Sequence, residues 1–277
     1  MDRIFKLTNA RGESWDLMDL KNVALFDPQG LGMDLDNEYI QIGNSFLLTK
    51  SRQSQREIKA NLIFSGTDAY AKYFKFVRFA MMAPLTLEYT ADKTYFIIVE
   101  LTSIEKTEKM SDKHMQCGIV FTARSLFRAR TVARIKREES AGEYPYTYAF
   151  MYGAETPNSV VIESDATQDS PCRIRIFGPV TNPVWRHYVN GAEIETGAYT
   201  GTVPEGNVLV IDTTAIPYSI IEYDNMGNVV ANRYQQCDFS TARFFMLQYG
   251  ANRIAVSHDG VNNVEIEVEA VFEYETV

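Results

Sequence analysis

The chain has 277 residues, 45% of them hydrophobic, with a formal net charge of −9 and a pI near 5.0. That is room for two cores of about 100–150 residues each, and the composition is globular rather than disordered. The acidic balance argues against a general nucleic-acid binder, and no apolar run approaches the ~20 residues that span a membrane.

The charge is unevenly placed. Residues 1–137 carry 21 Lys+Arg and 16 Asp+Glu, 21 − 16 = +5. Residues 138–277 carry 6 Arg, no Lys and 20 Asp+Glu, 6 − 20 = −14. A switch this sharp at Arg137/Glu138 predicts two units with different surfaces: a domain over 1–137, a linker over 138–146 and a second domain over 147–277. The opening Met1-Asp2-Arg3-Ile4 lacks the basic-then-apolar layout of a signal peptide. Cys117, Cys172 and Cys237 are odd in number and far apart, which reads as reduced thiols rather than a disulfide framework.

Short strands are predicted at Ile4–Leu7, Val23–Phe26 and Tyr39–Ile42, separated by turns at Gly12, Gly30 and Ile42-Gly43-Asn44. Phe46–Lys50 and Glu57–Phe64 read as a long hairpin joined by the polar link 51–56. Tyr70, Tyr73, Phe74, Val77 and Met81 then follow helical spacing, after Ser65-Gly66-Thr67-Asp68 as the cap region and before Pro84 as the stop. This amphipathic helix is expected to plug a sheet or barrel with its aromatic stripe. Strands resume at Leu85–Tyr89, Thr94–Thr102 and Gln116–Ala123, with a tight turn at Thr90–Lys93 and a polar loop over 105–115.

Arg124, Arg128, Arg130, Arg134, Lys136 and Arg137 form the basic stretch. Five of the six are even-numbered, so a strand would present them on one face. That face is either solvated or in contact with an acidic neighbour, such as another copy of the chain. Beyond the linker, strands are predicted at Val160–Glu163, Cys172–Phe177, Trp185–Val189, Val208–Asp212, Ser219–Tyr223, Phe244–Leu247 and Arg253–Ser257. Last, Glu265, Glu267, Glu269, Glu273 and Glu275 alternate with Ile266, Val268, Ala270, Phe272 and Tyr274, a half-buried strand with an acidic outer face. This many short strands imply a β-sandwich.

Catalytic constellations are missing. Gly30-Leu31-Gly32 has Leu35 where a dinucleotide fingerprint needs its third glycine, and Gly201–Gly206 lacks the P-loop lysine. No G-x-S-x-G elbow occurs. His114, His187 and His258 are solitary, without metal-ligand spacing. His187, between Trp185 and Val189 on a strand, reads as packed or paired. No enzyme activity, cofactor or metal is expected.

The order of elements carries a resemblance. The hairpin around Ser51–Gln55, the helix over 67–82 closed by Pro84, the pair Leu85–Tyr89/Thr94–Leu101 and then Ile119–Ala123 make its first half. Pro171–Pro183 (PCRIRIFGPVTNP), Gly206–Thr213 (GNVLVIDT) and Phe245–Ile254 (FMLQYGANRI, close to F-x-L-x-x-G-x-N-x-I) make its second. Over essentially the whole chain this resembles the distal tail protein (Dit) family of long-tailed bacteriophages, the hub of the tail tip or baseplate.

The resemblance implies a mainly β protein: an N-terminal split β-barrel-like domain with one helix, then a galectin-like or carbohydrate-module-like β-sandwich. It implies a homohexameric ring in the virion, made in the host cytoplasm. The ring would join the tail tube protein to the tail-associated protein and, in some members, receptor-binding proteins. DNA would pass its channel without specific binding, and nothing would insert into a membrane. Heterologous ring contacts would use strand edges and the long hairpin. Arg52, Arg56, Arg124, Arg128, Arg130 and Arg134 are the candidate subunit or domain contacts. The arginines of 124–137 are expected to face subunits or the outer domain, because a DNA conduit should not grip its cargo. The rival reading is a protein that recognises host cell-wall glycans through the sandwich, with Trp185, Tyr188 and Tyr199 as candidate glycan contacts.

Overall fold

The structure, a computed structural model, describes residues 3–108, 114–135, 158–238, 244–260 and 263–277. The predicted linker 138–146 lies outside the described residues, as do Lys136 and Arg137. Among the described residues the chain is mainly β with one α-helix, and it divides into two compact units. Unit 1 is Met1–Ala129 with Tyr274–Val277, and unit 2 is Arg130–Glu273.

The body of unit 1 is an antiparallel sheet that curls on itself. Its strand order is Ser14–Asp16, Ile4–Thr8, Leu85–Thr90, Thr94–Ile104, His114–Ala123, Glu57–Ser65, Val23–Gln29 and Met18–Asp19. The first and last strands of this order are consecutive in the chain, separated only by Leu17. Leu17 is fully buried; its N–H donates to the Phe5 carbonyl (2.8 Å) and its carbonyl accepts from the Leu25 N–H (2.6 Å). One residue thus bridges the two edges, which gives a split-barrel-like sheet rather than a closed ladder. Alternate residues of its longer strands turn inward, among them Phe5, Leu7, Leu62, Phe64, Leu87, Ile97 and Phe121.

The helix Ala69–Ala80 fills this curl, but not with the predicted stripe. Its buried face is Ala69, Tyr73, Phe76, Phe79 and Ala80, while Phe74 and Met81 are exposed at 53% and 73%. Aromatic residues flank both sides of this helix, so spacing alone fitted two faces. Packing selects the one whose rings meet Phe64 and Trp15: Tyr73–Phe64 and Phe76–Phe64 at 5.8 Å, Trp15–Phe76 at 5.3 Å. Asp68 occupies the N-cap without a side-chain cap, its carboxylate pairing with Lys72 at 3.1 Å.

The predicted hairpin is also re-paired. Ser45–Gln53 bonds not to Glu57–Ser65 but to Leu35–Ile42, with Ile42 opposite Ser45. The two-residue turn between them puts Gly43 first, at φ 62°, as in type II′ hairpins. Glu57–Ser65 is claimed on both edges by Val23–Gln29 and His114–Ala123.

Among the described residues unit 2 holds two main sheets, beside a short ladder of Val180–Thr181 with Thr202–Val203. One is Ser159–Ser164, Gly250–Ser257, Val184–Val189 and Ala192–Ala198. The other runs Val229–Asn232, Ser219–Tyr223, Val208–Asp212, Cys172–Phe177, Glu265–Tyr274 and Phe127–Ile135, the last belonging to this unit from Arg130 on. Their inner faces supply Ile174, Ile176, Leu209, Ile211, Ile220, Ile266 and Val268 against Ile162, Trp185, Ile254 and Val256, a sandwich-like core. The predicted strand Phe244–Leu247 makes only an isolated bridge, Leu247 to Ser170. Phe245 instead turns inward and stacks on the His187 ring at 4.4 Å.

The F-x-L-x-x-G-x-N-x-I segment is explained by Asn252, which is fully buried. Its amide donates to the carbonyls of Gln248 (2.7 Å) and Gly250 (2.9 Å), and its Oδ1 accepts from the Gln248 N–H (2.9 Å). His187 Nε2 lies 2.9 Å from the same Oδ1. A carbonyl oxygen only accepts, so Nε2 carries the proton and Nδ1 is bare. Nδ1 is buried with no partner. Burial holds the His187 pKa below the ordinary imidazole range, against the smaller upward pull of the Asn252 bond.

Two outcomes follow. Trp185 is fully buried, and a Cβ built on Gly197, its cross-strand partner, would stand 2.4 Å from the indole, so Gly197→Ala should cost about 1–3 kcal/mol in urea unfolding. With its folded pKa depressed, His187 adds full stability above about pH 6.5. That stability is lost as pH falls from 6.5 toward the folded value, because the unfolded chain takes up the proton first. His187→Gln, which keeps a donor toward Asn252, should flatten the slope of unfolding midpoint against pH in that window; an unchanged slope would assign it to other groups.

Candidate functional site

The strands Leu35–Ile42 and Ser45–Gln53 form an arm that is exposed almost throughout. Its base is polar: Arg52 Nη2 meets Asp36 at 2.6 Å, Ser51 bonds Asn37 at 2.6 Å, and Lys50 lies 3.8 Å from Glu38. Its tip is apolar. Opposite residues share a face, so register assigns the sides. Tyr39 and Leu48, with Phe46, stand on one face; Ile40, Leu47 and Ile42 stand on the other. All six are 50–69% exposed. A two-stranded ribbon has no third layer to cover it and is marginal alone in water.

Reading the sequence missed this site by mispairing the strand over 46–50. The signal was present: Tyr39-Ile40 and Phe46-Leu47-Leu48 are consecutive apolar residues, and consecutive positions on a strand point to opposite faces. Alternation would have meant one buried face; adjacency means two.

Most of the six candidate arginines are engaged within their own unit. Arg52 pairs with Asp36 at the arm base. Arg56 lies over the Phe127 ring (4.8 Å) and donates to the Glu275 carbonyl, and burial lowers its pKa. Arg124, ahead of the strand Phe127–Ile135, meets Glu100 at 3.1 Å. Arg128 is half-buried opposite Phe96, and Arg130 is exposed. Arg134 finds its acidic neighbour inside the chain: it bonds Glu265, reaches Glu267 at 3.4 Å, and covers the Phe177 ring at 4.9 Å. The Glu265 bond holds its pKa above the ordinary range.

The aromatic platform read for sugar does not form. Trp185 is 0% and Tyr199 3% exposed, because both lie on inward positions of the sandwich. Tyr188 is half-buried with the Arg253 guanidinium 3.9 Å above its ring. The thiols are buried, and burial pushes Cys172 up to about 12, which leaves it unreactive at neutral pH. Among the described residues no cluster of His, Cys, Asp or Glu could hold a metal, and no helix is long and apolar enough to cross a membrane.

Residues 4–124 match the family model described as the distal tail protein, N-terminal domain. No curated protein sequence matches the chain. Among solved structures, a chain of the phage P2 baseplate in its activated conformation with calcium superposes with a TM-score of 0.61 at 16% identity, over all of both chains. The Dit protein of phage SPP1, described as a paradigm of the hub adsorption apparatus in phages infecting Gram-positive hosts, gives 0.66 at 10% identity, over 98% of this chain and 99% of that one. These likenesses extend the shared fold across both units. Residues 4–124 therefore match the N-terminal domain of a distal tail protein, and both units share the fold of these baseplate and hub proteins.

Proposed function

We propose that the chain forms a homohexameric ring in the virion, joining the tail tube protein on one face to the tail-associated protein on the other and enclosing the DNA exit channel. The observation that carries this is the arm. Apolar rungs on both faces need cover on both faces, and a second copy of the chain is the occupant a closed ring supplies. The contact is heterologous, arm of one copy to body of the next, and such contacts close into rings when the rotation allows. Exposed strand edges of the arm add backbone pairing. Because Arg52, Arg124 and Arg134 are already paired with carboxylates, a lumen near them need not be a strong phosphate trap, which suits passage without binding. The domain division is proposed to separate the ring-forming part from an outward sandwich.

Light scattering and negative-stain images of the full-length chain test the reading. The expected result is a six-membered annulus with an open centre. Ile40→Asp with Phe46→Asp, one charge on each face of the tip, should give monomers whose melting temperature matches the wild type. A wild-type monomer at high concentration, or rings from the double variant, would overturn the role of the arm.

A further inference from the structure

We propose that the outer face of the larger sheet in unit 2 binds a neutral saccharide. Register lines up three rungs across four strands there. They are Glu269–Arg173–Asp212–Ser219, Glu267–Arg175–Val210–Ile221 and Glu265–Phe177–Val208–Tyr223. The first rung is polar, the third largely apolar. Arg173, Arg175 and Phe177 with Val208, Val210, Asp212 and Ser219 floor an open cleft of about 680 Å³, walled by Tyr223 and by the turns at Gly206 and Asp224–Gly227; the three glutamates do not line it. The second turn is braced by Asp224, which accepts from the N–H groups of Met226 (2.9 Å) and Asn228 (2.8 Å).

The polar groups form an unbroken alternation. Asp212 meets Arg173 (2.7 Å), Arg173 meets Glu269 (3.2 Å), and Glu269 meets Arg175 (3.1 Å). Arg175 meets Glu267 (2.6 Å), Glu267 meets Arg134 (3.4 Å), and Arg134 bonds Glu265. Burial would raise Asp212, but the Thr214 bonds and Arg173 hold its carboxyl below the usual range. In the cleft lining Arg173 and Arg175 stand against Asp212 and Asp224, 2 − 2 = 0, so an anion finds no net attraction. Each carboxylate is already paired, so a cation finds none unclaimed. What the array offers is fixed N–H donors beside fixed oxygen acceptors, the combination that hydroxyl groups answer by donating and accepting together. Beside it lie Val208, Val210 and the half-buried Tyr223 ring, which suit the C–H face of a pyranose. A cleft of this size with few fixed polar groups and an apolar flank has the form of a small-ligand site. It lies apart from Trp185, Tyr188 and Tyr199, which belong to the opposite sheet or its margin.

The test uses the full-length chain. Saturation-transfer NMR and calorimetry are run with neutral di- and trisaccharides of glucose, galactose and N-acetylglucosamine, and with polyglycerol phosphate as the anionic probe. At least one neutral saccharide should bind. Tyr223→Ala should weaken it about tenfold, the loss of one stacking contact, without moving the melting temperature. Arg175→Lys, which keeps the charge and loses the fork, should also weaken it, whereas Tyr249→Ala, exposed elsewhere in unit 2, should not. Absence of binding by every neutral probe, preference for polyglycerol phosphate, or wild-type affinity in Tyr223→Ala would each overturn the assignment. The site stands on unit 2 alone, so a chain that binds sugar without forming rings retains it, and a ring without binding loses it.

Discussion

A chain built almost entirely of strands depends on pairing its backbone donors and acceptors, because each unpaired buried N–H or C=O costs as much as a lost hydrogen bond. Unit 1 meets this constraint by curling until its two edges stand one residue apart and using Leu17 to serve both. That single bridge frees the chain from completing a full barrel, and it leaves the interior wide enough for the Tyr73, Phe76 and Phe79 face of the helix. The arm is the exception. It is paired along one ladder and exposed on both faces.

Charge is handled by the same economy of pairing. The acidic face of the strand Glu265–Tyr274 reads, in isolation, as a repulsive row. In the sheet each glutamate from 265 to 269 lies against an arginine from a neighbouring strand. Arginine suits this role because its planar fork can hold two carboxylates at once, as Arg173 and Arg175 each do. This accounts for part of the compositional asymmetry: the acidic unit keeps arginine and has no lysine beyond Lys136.

Much of the fold was legible where residues alternate. Cys172–Phe177, Val208–Asp212 and Ser219–Tyr223 are strands with the bounds their patterns suggest, and the tight turn at 90–93 joins the strands expected. Legibility failed where partners at long range decide. Glu57–Ser65 could not announce that both of its edges were taken, so Ser45–Gln53 was paired with the wrong neighbour. The helix carried rings on too many sides for spacing to choose a face. The aromatic residues read as a sugar platform include Trp185, whose place opposite Gly197 makes it core; the missing side chain at 197 was the clue. The cleft across three strands was invisible in principle, since its floor joins residues as distant in the chain as Arg173 and Ser219.

The arm's two apolar faces also bear on the behaviour of the free chain. On its own, each copy exposes a ribbon with open edges and residues such as Ile40, Phe46 and Leu47, the profile of a segment that nucleates aggregates. The charged rungs at its base, Asp36–Arg52 and Glu38–Lys50, act as gatekeepers that limit how far a second ribbon can stack. The arm thus ties the tendency of the chain to aggregate to its own concentration for as long as the ribbon stays uncovered.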